Sequence, residues 1–264
     1  TASASAFVQQ RSKLAPEALP ALFDLFVQKS QPMQLYKGFR LLAADGSDIL
    51  IPSNPEHIAS HYPGTNGQSP YNILHLDAVY DLLQHTYQDA SVVGDRETNE
   101  RAALCRMVDR SDIEKAILMA DRGYEGFNLM AHIQEKNWMY LIRIKDVEKF
   151  NGITAGLALP NTDEFDVLID LSLTTKQTNE VKELRKYKNK YRYISPKSSF
   201  DFLSKKNRKH DPTVFYQIPF RIVRFKIAEN SYETVVTNLT AADFPPAELK
   251  KLYNMRWGIE TSFR

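Results

Sequence analysis

Apolar positions in the first 35 residues recur at helical spacing. In SAFVQQRSKL a serine stands where a helix N-cap is expected, and PEALPALFDLFVQ opens on a proline suited to a first turn. The period then shortens. GFRLLAADGS, DILIP, NILHLDAVYDLL and QHTYQDASVV read as short strands separated by Gly, Pro, Asn and Asp. Residues 97–110, ETNERAALCRMVDR, return to helical spacing. AILMADRGY is a continuous apolar run closed by an aspartate and a glycine, the pattern of a buried strand leaving its sheet. EGFNLMAHIQEKN then predicts a helix and WMYLIRI another buried strand. Strands first, then helix–strand–helix–strand, predicts an α/β sheet with mixed strand directions.

From about Lys145 to Ala228 the pattern is strands and loops, with EFDVLIDLSLT, VFYQIPFRIVRFKI and YETVVTNL as the strands and no helix of good period between them. FPPAELKKLYNMRWGIETSFR returns to helix behind two prolines. The expected division is an N-terminal helical segment (1–35), a core (36–145), a β-rich basic insertion (146–240) and a final core helix (241–264).

Composition narrows the class. The chain has 264 residues, 43% hydrophobic and 25% charged, as expected of a soluble globular protein, and no apolar run reaches the roughly 18 residues of a membrane span. No secretory start is evident, and one cysteine, Cys105, allows neither an internal disulfide nor a multi-cysteine metal site. A reducing, cytoplasmic compartment is expected. The chain opens on TASASAFVQQ without methionine and ends without a helix stop signal, so a fragment is expected. Net charge is only +2, but residues 145–240 hold 17 Lys or Arg against 12 Asp or Glu, a net of +5, and the remainder is −3. Ten basic residues fall in KELRKYKNKYRY and SKKNRKH, the first interleaved with Tyr187, Tyr191 and Tyr193. Basic residues between aromatics suit a phosphate backbone and exposed bases, and equally a solvated loop.

The chemistry rests on three carboxylates. At about 100° per residue, Tyr253, Arg256 and Glu260 fall within about 60° of one another on the final helix, beside an apolar stripe of Leu252, Met255, Ile259 and Phe263. Alone, Arg256 and Glu260 make an ordinary i, i+4 ion pair. Asp45 closes RLLAAD before Gly46 and Ser47, and Asp121 closes AILMAD before Gly123. Each alone is an ordinary turn former. Two aspartates closing strands of one sheet can converge, and a helix glutamate then makes three acids that need a cation to stay ionised together. An all-oxygen set favours Mg²⁺ or Mn²⁺.

LLAADGSDI, ILMADRGYEGFNL and YNMRWGIETSFR resemble the DDE transposases of bacterial insertion sequences, specifically the insertion-sequence-4 group. That group carries its first Asp in a D-G-S/T turn, its second in D-R-G-Y, and a Tyr-x2-Arg-x3-Glu-x6-Lys signature, whose lysine would fall at position 267. The resemblance implies a ribonuclease-H-like mixed sheet flanked by helices, with the β-rich insertion before the last catalytic helix. It implies that Asp45, Asp121 and Glu260 hold two Mg²⁺ or Mn²⁺ ions with DNA bound, and that Tyr253 and Arg256 contact DNA phosphate. DNA transposition follows, by phosphodiester hydrolysis and strand transfer, with a homodimer pairing double-stranded transposon ends and target in the bacterial nucleoid. Lys182, Arg185, Lys186, Lys188, Lys190 and Arg192 are the further DNA-binding candidates.

Other residues invite plainer expectations. Asp48 should open the next strand of a hairpin, Asp95, Glu97, Asp109 and Asp112 should cap the helix at 97–110, and His75 should sit on a sheet face. Cys105 should be core, and Trp138 and Trp257 should pack. The competing functions are a nuclease that does not join strands, a transposase-derived DNA-binding protein without chemistry, and a β-rich interaction module.

Overall fold

A computed structural model describes residues 3–30, 34–65, 67–145, 152–204 and 214–263. The chain forms two compact units, 1–34 and 35–264. In the first, helices α1 (Ala4–Gln10) and α2 (Ala18–Lys29) are joined by a 3-10 turn (Arg11–Lys13), and Ser3 caps α1 by accepting from the Ala6 amide at 3.1 Å.

The second unit is built on one mixed sheet. Its strands among the described residues are β1 (Arg40–Ile51), β2 (His61–Tyr62), β3 (Tyr71–Asp81), β4 (Thr86–Gly94), β5 (Ala116–Ala120), β6 (Met139–Arg143), β7 (Phe165–Thr174), β8 (Tyr191–Tyr193), β9 (Tyr216–Ala228) and β10 (Ser231–Thr237). The order is β2-β3-β1-β5-β6-β10-β9-β7-β8, with β4 also on the outer edge of β3. β1, β3 and β4 are antiparallel neighbours, and β1, β5 and β6 run parallel.

Helices cover both faces, because the strands alternate apolar residues to each side. Leu42, Ala44, Leu118, Ala120, Tyr140 and Ile142 pack with Leu104 and Val108 of α3 (Glu100–Arg110) and Leu129 and Ile133 of α4 (Phe127–Glu135). Leu41, Ala43, Ile117, Met119 and Leu141 pack with Leu249 and Leu252 of α6 (Pro246–Met255) and Ile259 of α7 (Trp257–Ser262). This is the expected mixed α/β fold. No helix among the described residues is long and apolar enough to cross a membrane.

Three local expectations are corrected. GFRLLAADGS and DILIP are one strand: Gly46, Ser47 and Asp48 pair with Asp77, Leu76 and His75 of β3, so Asp45 lies mid-strand and Asp48 opens nothing. The neighbour β5 is what ends there. The stretch read as helix-free contains α5 (Asn179–Leu184), capped by Thr178, with Val181 as its only buried residue. One and a half turns are too short to show a period. The final helix is two pieces, because the Arg256 amide bonds back to Tyr253 and the Ile259 amide to Arg256, both over three residues. β10 pairs antiparallel with β6, so the strands after residue 145 continue the core sheet.

Candidate active site

Asp45 and Asp121 hold equivalent places on adjacent parallel strands. The β1–β5 ladder ends at Ala44 and Ala120, and each aspartate is the next residue in its chain. Alternation sets both on the face of Leu41, Ala43, Ile117 and Met119, the face that α6 and α7 cover. The Asp45 carboxylate accepts from the Gly46 amide at 3.0 Å. Asp121 caps the 3-10 turn Arg122–Tyr124 by accepting from the Gly123 amide at 2.7 Å. Ile259 is buried in the core on this face, so its neighbour Glu260 emerges at the core margin above β1.

Arg256 joins two of these acids. Its Nη2 donates to Glu260 Oε1 at 2.5 Å, and its Nη1 lies 3.9 Å from Asp45 Oδ2. The side chain is 4% exposed, and Nε and Nη1 have no hydrogen-bond partner. Burial pushes the Asp45 carboxyl up to about 6; the Gly46 amide and Arg256 oppose the rise, and Glu260 and Asp121 add to it by repulsion. Asp45 therefore feels both other carboxylates, although the three do not bring ligand atoms within 4.8 Å of one another. An all-oxygen set, partly buried and already courting a cation, fits a hard divalent metal.

The other predicted positions divide by burial. Tyr253 is buried, with its hydroxyl unpartnered and its ring 5.6 Å from the Arg256 guanidinium. Tyr253 and Arg256 are both buried, because the stripe that anchors α6 carries them inward. Lys182, Lys186, Lys188 and Lys190 are exposed. Arg185 lies over the Tyr193 ring at 4.3 Å. The Arg192 guanidinium donates to the carbonyls of Gly152, Ile153 (2.8 Å) and Ala155. The SKKNRKH run lies at 204–210, and of it only Ser204 is among the described residues.

A second polar group was missed in the sequence. On the opposite sheet face, His75 meets Asp48, Asp77 and Glu100. A Cβ at Gly123 would lie 3.1 Å from Asp121 Oδ1 and 3.3 Å from Glu100 Oε2, so Glu100 reaches the edge of the acid site from behind. The spacing of His75 and Asp77, two apart in HLD, was the available signal, since it aligns side chains on one face. Asn99, not an aspartate, caps α3 (3.1 Å to the Ala102 amide), and Asp109 instead pairs with His132 at 2.7 Å. Cys105 is buried, which pushes its thiol up to about 12. Trp138 packs and donates to the Ile113 carbonyl, but Trp257 is 54% exposed.

Asp45 and Asp121 thus stand on one face where the β1–β5 ladder ends, with Glu260 on the helix that packs over β1. The chain belongs to the family described as Transposase DDE domain, whose model matches residues 36–264. No curated protein matches it significantly. Among solved structures it is similar to the cryo-EM structure of a piggyBac transposase synaptic complex with hairpin DNA, at 11% identity and a TM-score of 0.45, over 98% of this chain and 46% of that one. The chain spans less than half the length of that transposase.

Proposed function

We propose that this chain is the catalytic domain of a DNA transposase of the bacterial insertion-sequence-4 group, with a ribonuclease-H-like core, and that Asp45, Asp121 and Glu260 are its catalytic carboxylates. The observation that supports this reading is the placement of Asp45 and Asp121 on one face where the β1–β5 ladder ends, with Arg256 between Asp45 and Glu260. Membership of the DDE family supports it. The three residues would hold two Mg²⁺ or Mn²⁺ ions when DNA is bound. Such ions would activate the attacking water or 3′-hydroxyl and stabilise the leaving oxygen. The carboxylates place oxygen donors where the β1–β5 ladder ends, the buried face excludes bulk water behind them, and α7 closes the site from one side. The helical segment 1–35, the core 36–145, the insertion 146–240 and the last helix 241–264 serve as its parts. Double-stranded transposon ends and target are the substrates, a homodimer is the working form, and the bacterial cytoplasm at the nucleoid is the location.

In this reading Arg256 holds the cation's place. Its guanidinium lies against Asp45 and Glu260, where a positive charge is needed whenever no metal is present. Arg256→Gln should then raise Mn²⁺ affinity at the acid site roughly tenfold, because the ion no longer displaces an ion pair. Calorimetric titration checks this, and unchanged or weaker binding would remove the competition.

The exposed lysines of 182–190 supply the salt-dependent part of DNA binding. Replacing Lys182, Lys186, Lys188 and Lys190 by alanine should flatten the slope of log K against log [salt] by about one for each phosphate no longer neutralised. Arg192→Ala should leave the slope unchanged and loosen the 152–155 turn. A slope that ignores all four lysines would return this run to a solvated surface.

A further inference from the structure

On the sheet face opposite Asp45, Asp48 of β1 and His75 of β3 stand in register. His75 Nδ1 is 2.7 Å from Asp48 Oδ1. Asp95 opens the 3-10 turn after β4, and one ligand atom from each of Asp48, His75 and Asp95 lies within 4.8 Å of the others. Asp95 is held from two sides. Its carboxylate accepts from the Tyr62 hydroxyl, and a Cβ on the preceding Gly94 would meet the Ala59 carbonyl oxygen at 2.5 Å, so β4 ends hard against that backbone.

A separate feature points to a ligand. The His75 imidazole is 7% exposed, and the Asp77 carboxylate, outside the trio, is 4% exposed. His75 Nε2 and Asp77 Oδ1 are both buried without a hydrogen-bond partner, and they lie 3.4 Å apart. A buried carboxylate on the far nitrogen is the arrangement that orients a metal-ligating histidine, because the N–H turned to it leaves the other nitrogen's lone pair free. With the N–H on Nε2, Nδ1 faces Asp48 Oδ1 at 2.7 Å as one acceptor against another, and a cation there would answer both.

We propose that Asp48, His75 and Asp95 form a second divalent-cation site, separate from Asp45, Asp121 and Glu260, for a transition ion of the zinc type. One imidazole nitrogen and two carboxylate oxygens suit such an ion, with water as the fourth ligand. Ligand atoms around zinc lie roughly 3.3 Å apart at bond lengths of about 2.0–2.1 Å. Asp48, whose side chain is 59% exposed, has the freedom to move from its 2.7 Å contact with His75 to that spacing. The ion would clamp β1 to β3 and to the turn after β4. A Cβ at Gly46 would lie 2.8 Å from His75 Nε2, so the clamp sits directly behind the residue that follows Asp45. It acts as a positioning element, not a catalytic one.

The test is calorimetric titration of Zn²⁺ into the chelator-stripped chain carrying Asp45→Asn and Glu260→Gln, which disables the oxygen-only site. One Zn²⁺ should still bind. Asp48→Asn, at an exposed position, should weaken that binding at least tenfold without changing Tm in chelator, and Asp77→Asn should weaken it about 10–100-fold. Electron paramagnetic resonance of the Cu²⁺-loaded form should show coupling to one imidazole nitrogen, lost on His75→Gln. Absence of a bound Zn²⁺, binding indifferent to Asp48→Asn, or a signal without nitrogen coupling overturns the site and leaves His75 a protonated link between its carboxylates. None of these readouts depends on DNA cleavage, so the transposase reading stands or falls separately.

Discussion

Asp45→Asn should abolish Mg²⁺-dependent strand cleavage and at the same time raise the melting temperature of the metal-free protein. The loss follows from removing an oxygen ligand at the centre of the acid cluster. Metal stabilisation of the transition state is worth several kcal/mol, so the rate should fall on the order of 10³-fold or more. Asp121→Asn and Glu260→Gln should fall likewise, with DNA binding largely retained. Cleavage at the wild-type rate in any of the three would strike that residue from the proposed site.

The gain in stability has a defined pH window. Burial and its acidic neighbours raise the Asp45 carboxyl from 3.8 to about 6, so the folded state binds its proton more tightly than the unfolded chain does. The stability this supplies is fully present below the unfolded value and is lost as pH rises through about 6. Asparagine has no such loss. The Tm advantage of Asp45→Asn should therefore be small near pH ~4 and reach its full size above pH ~7, measured in chelator. An advantage that grows toward acid pH would mean that Arg256 outweighs burial at this site. In the wild type the same linkage should weaken metal binding as pH falls below about 6, because the proton must leave first.

Arg221→Ala should be the most damaging single change in the strands of the basic stretch. Its guanidinium is buried on β9, paired with both oxygens of Asp166 at 3.0 and 2.5 Å, and its Nη1 donates to the carbonyls of Leu239 (2.8 Å) and Phe244 (3.1 Å). Those carbonyls belong to the segment that leads into α6, so one side chain ties β7 and β9 to the entrance of the helices that deliver Glu260. Alanine strands Asp166 and two backbone acceptors. Breaking a buried pair costs about 3–5 kcal/mol, a Tm loss on the order of 10 °C for a chain of this size. Cleavage should fail with it, since α6 and α7 lose their anchor. Thermal denaturation checks the first part; a loss under ~2 °C would show that the helices are seated by apolar packing alone.

Much of this fold was legible in the residues. Apolar runs such as AILMA and MYLIR could only be strands buried on both faces, and ERAALCRMVDR could only be a helix with one inward side, because period and burial are local properties of a chain. Short elements escaped the same logic: α5 buries a single side chain, and the tight turn at Arg256 leaves the helical spacing of its neighbours unbroken.

The acids themselves could be singled out because Asp45 and Asp121 each follow an apolar run, because Glu260 shares a helical side with Tyr253 and Arg256, and because their motifs sit in a known order. Their relation to one another could not. Asp45 was expected at a strand end but lies inside β1; it opens to the site only because β5, a strand about 70 residues on, stops one residue short of it. Arg192 looked like its basic neighbours, yet it closes a turn 40 residues earlier in the chain.

The sequence by itself determined which segments are strand or helix, which residues could carry chemistry and which family the chain belongs to, since these follow from side-chain type and near-neighbour spacing. Only the tertiary structure decided which face each acid occupies, that Arg256 stands where a cation is wanted, and that His75 gathers Asp48, Asp77 and Glu100 behind the strand. Those relations are set by register between strands distant in the chain, and a one-residue slip would send each side chain to the other face.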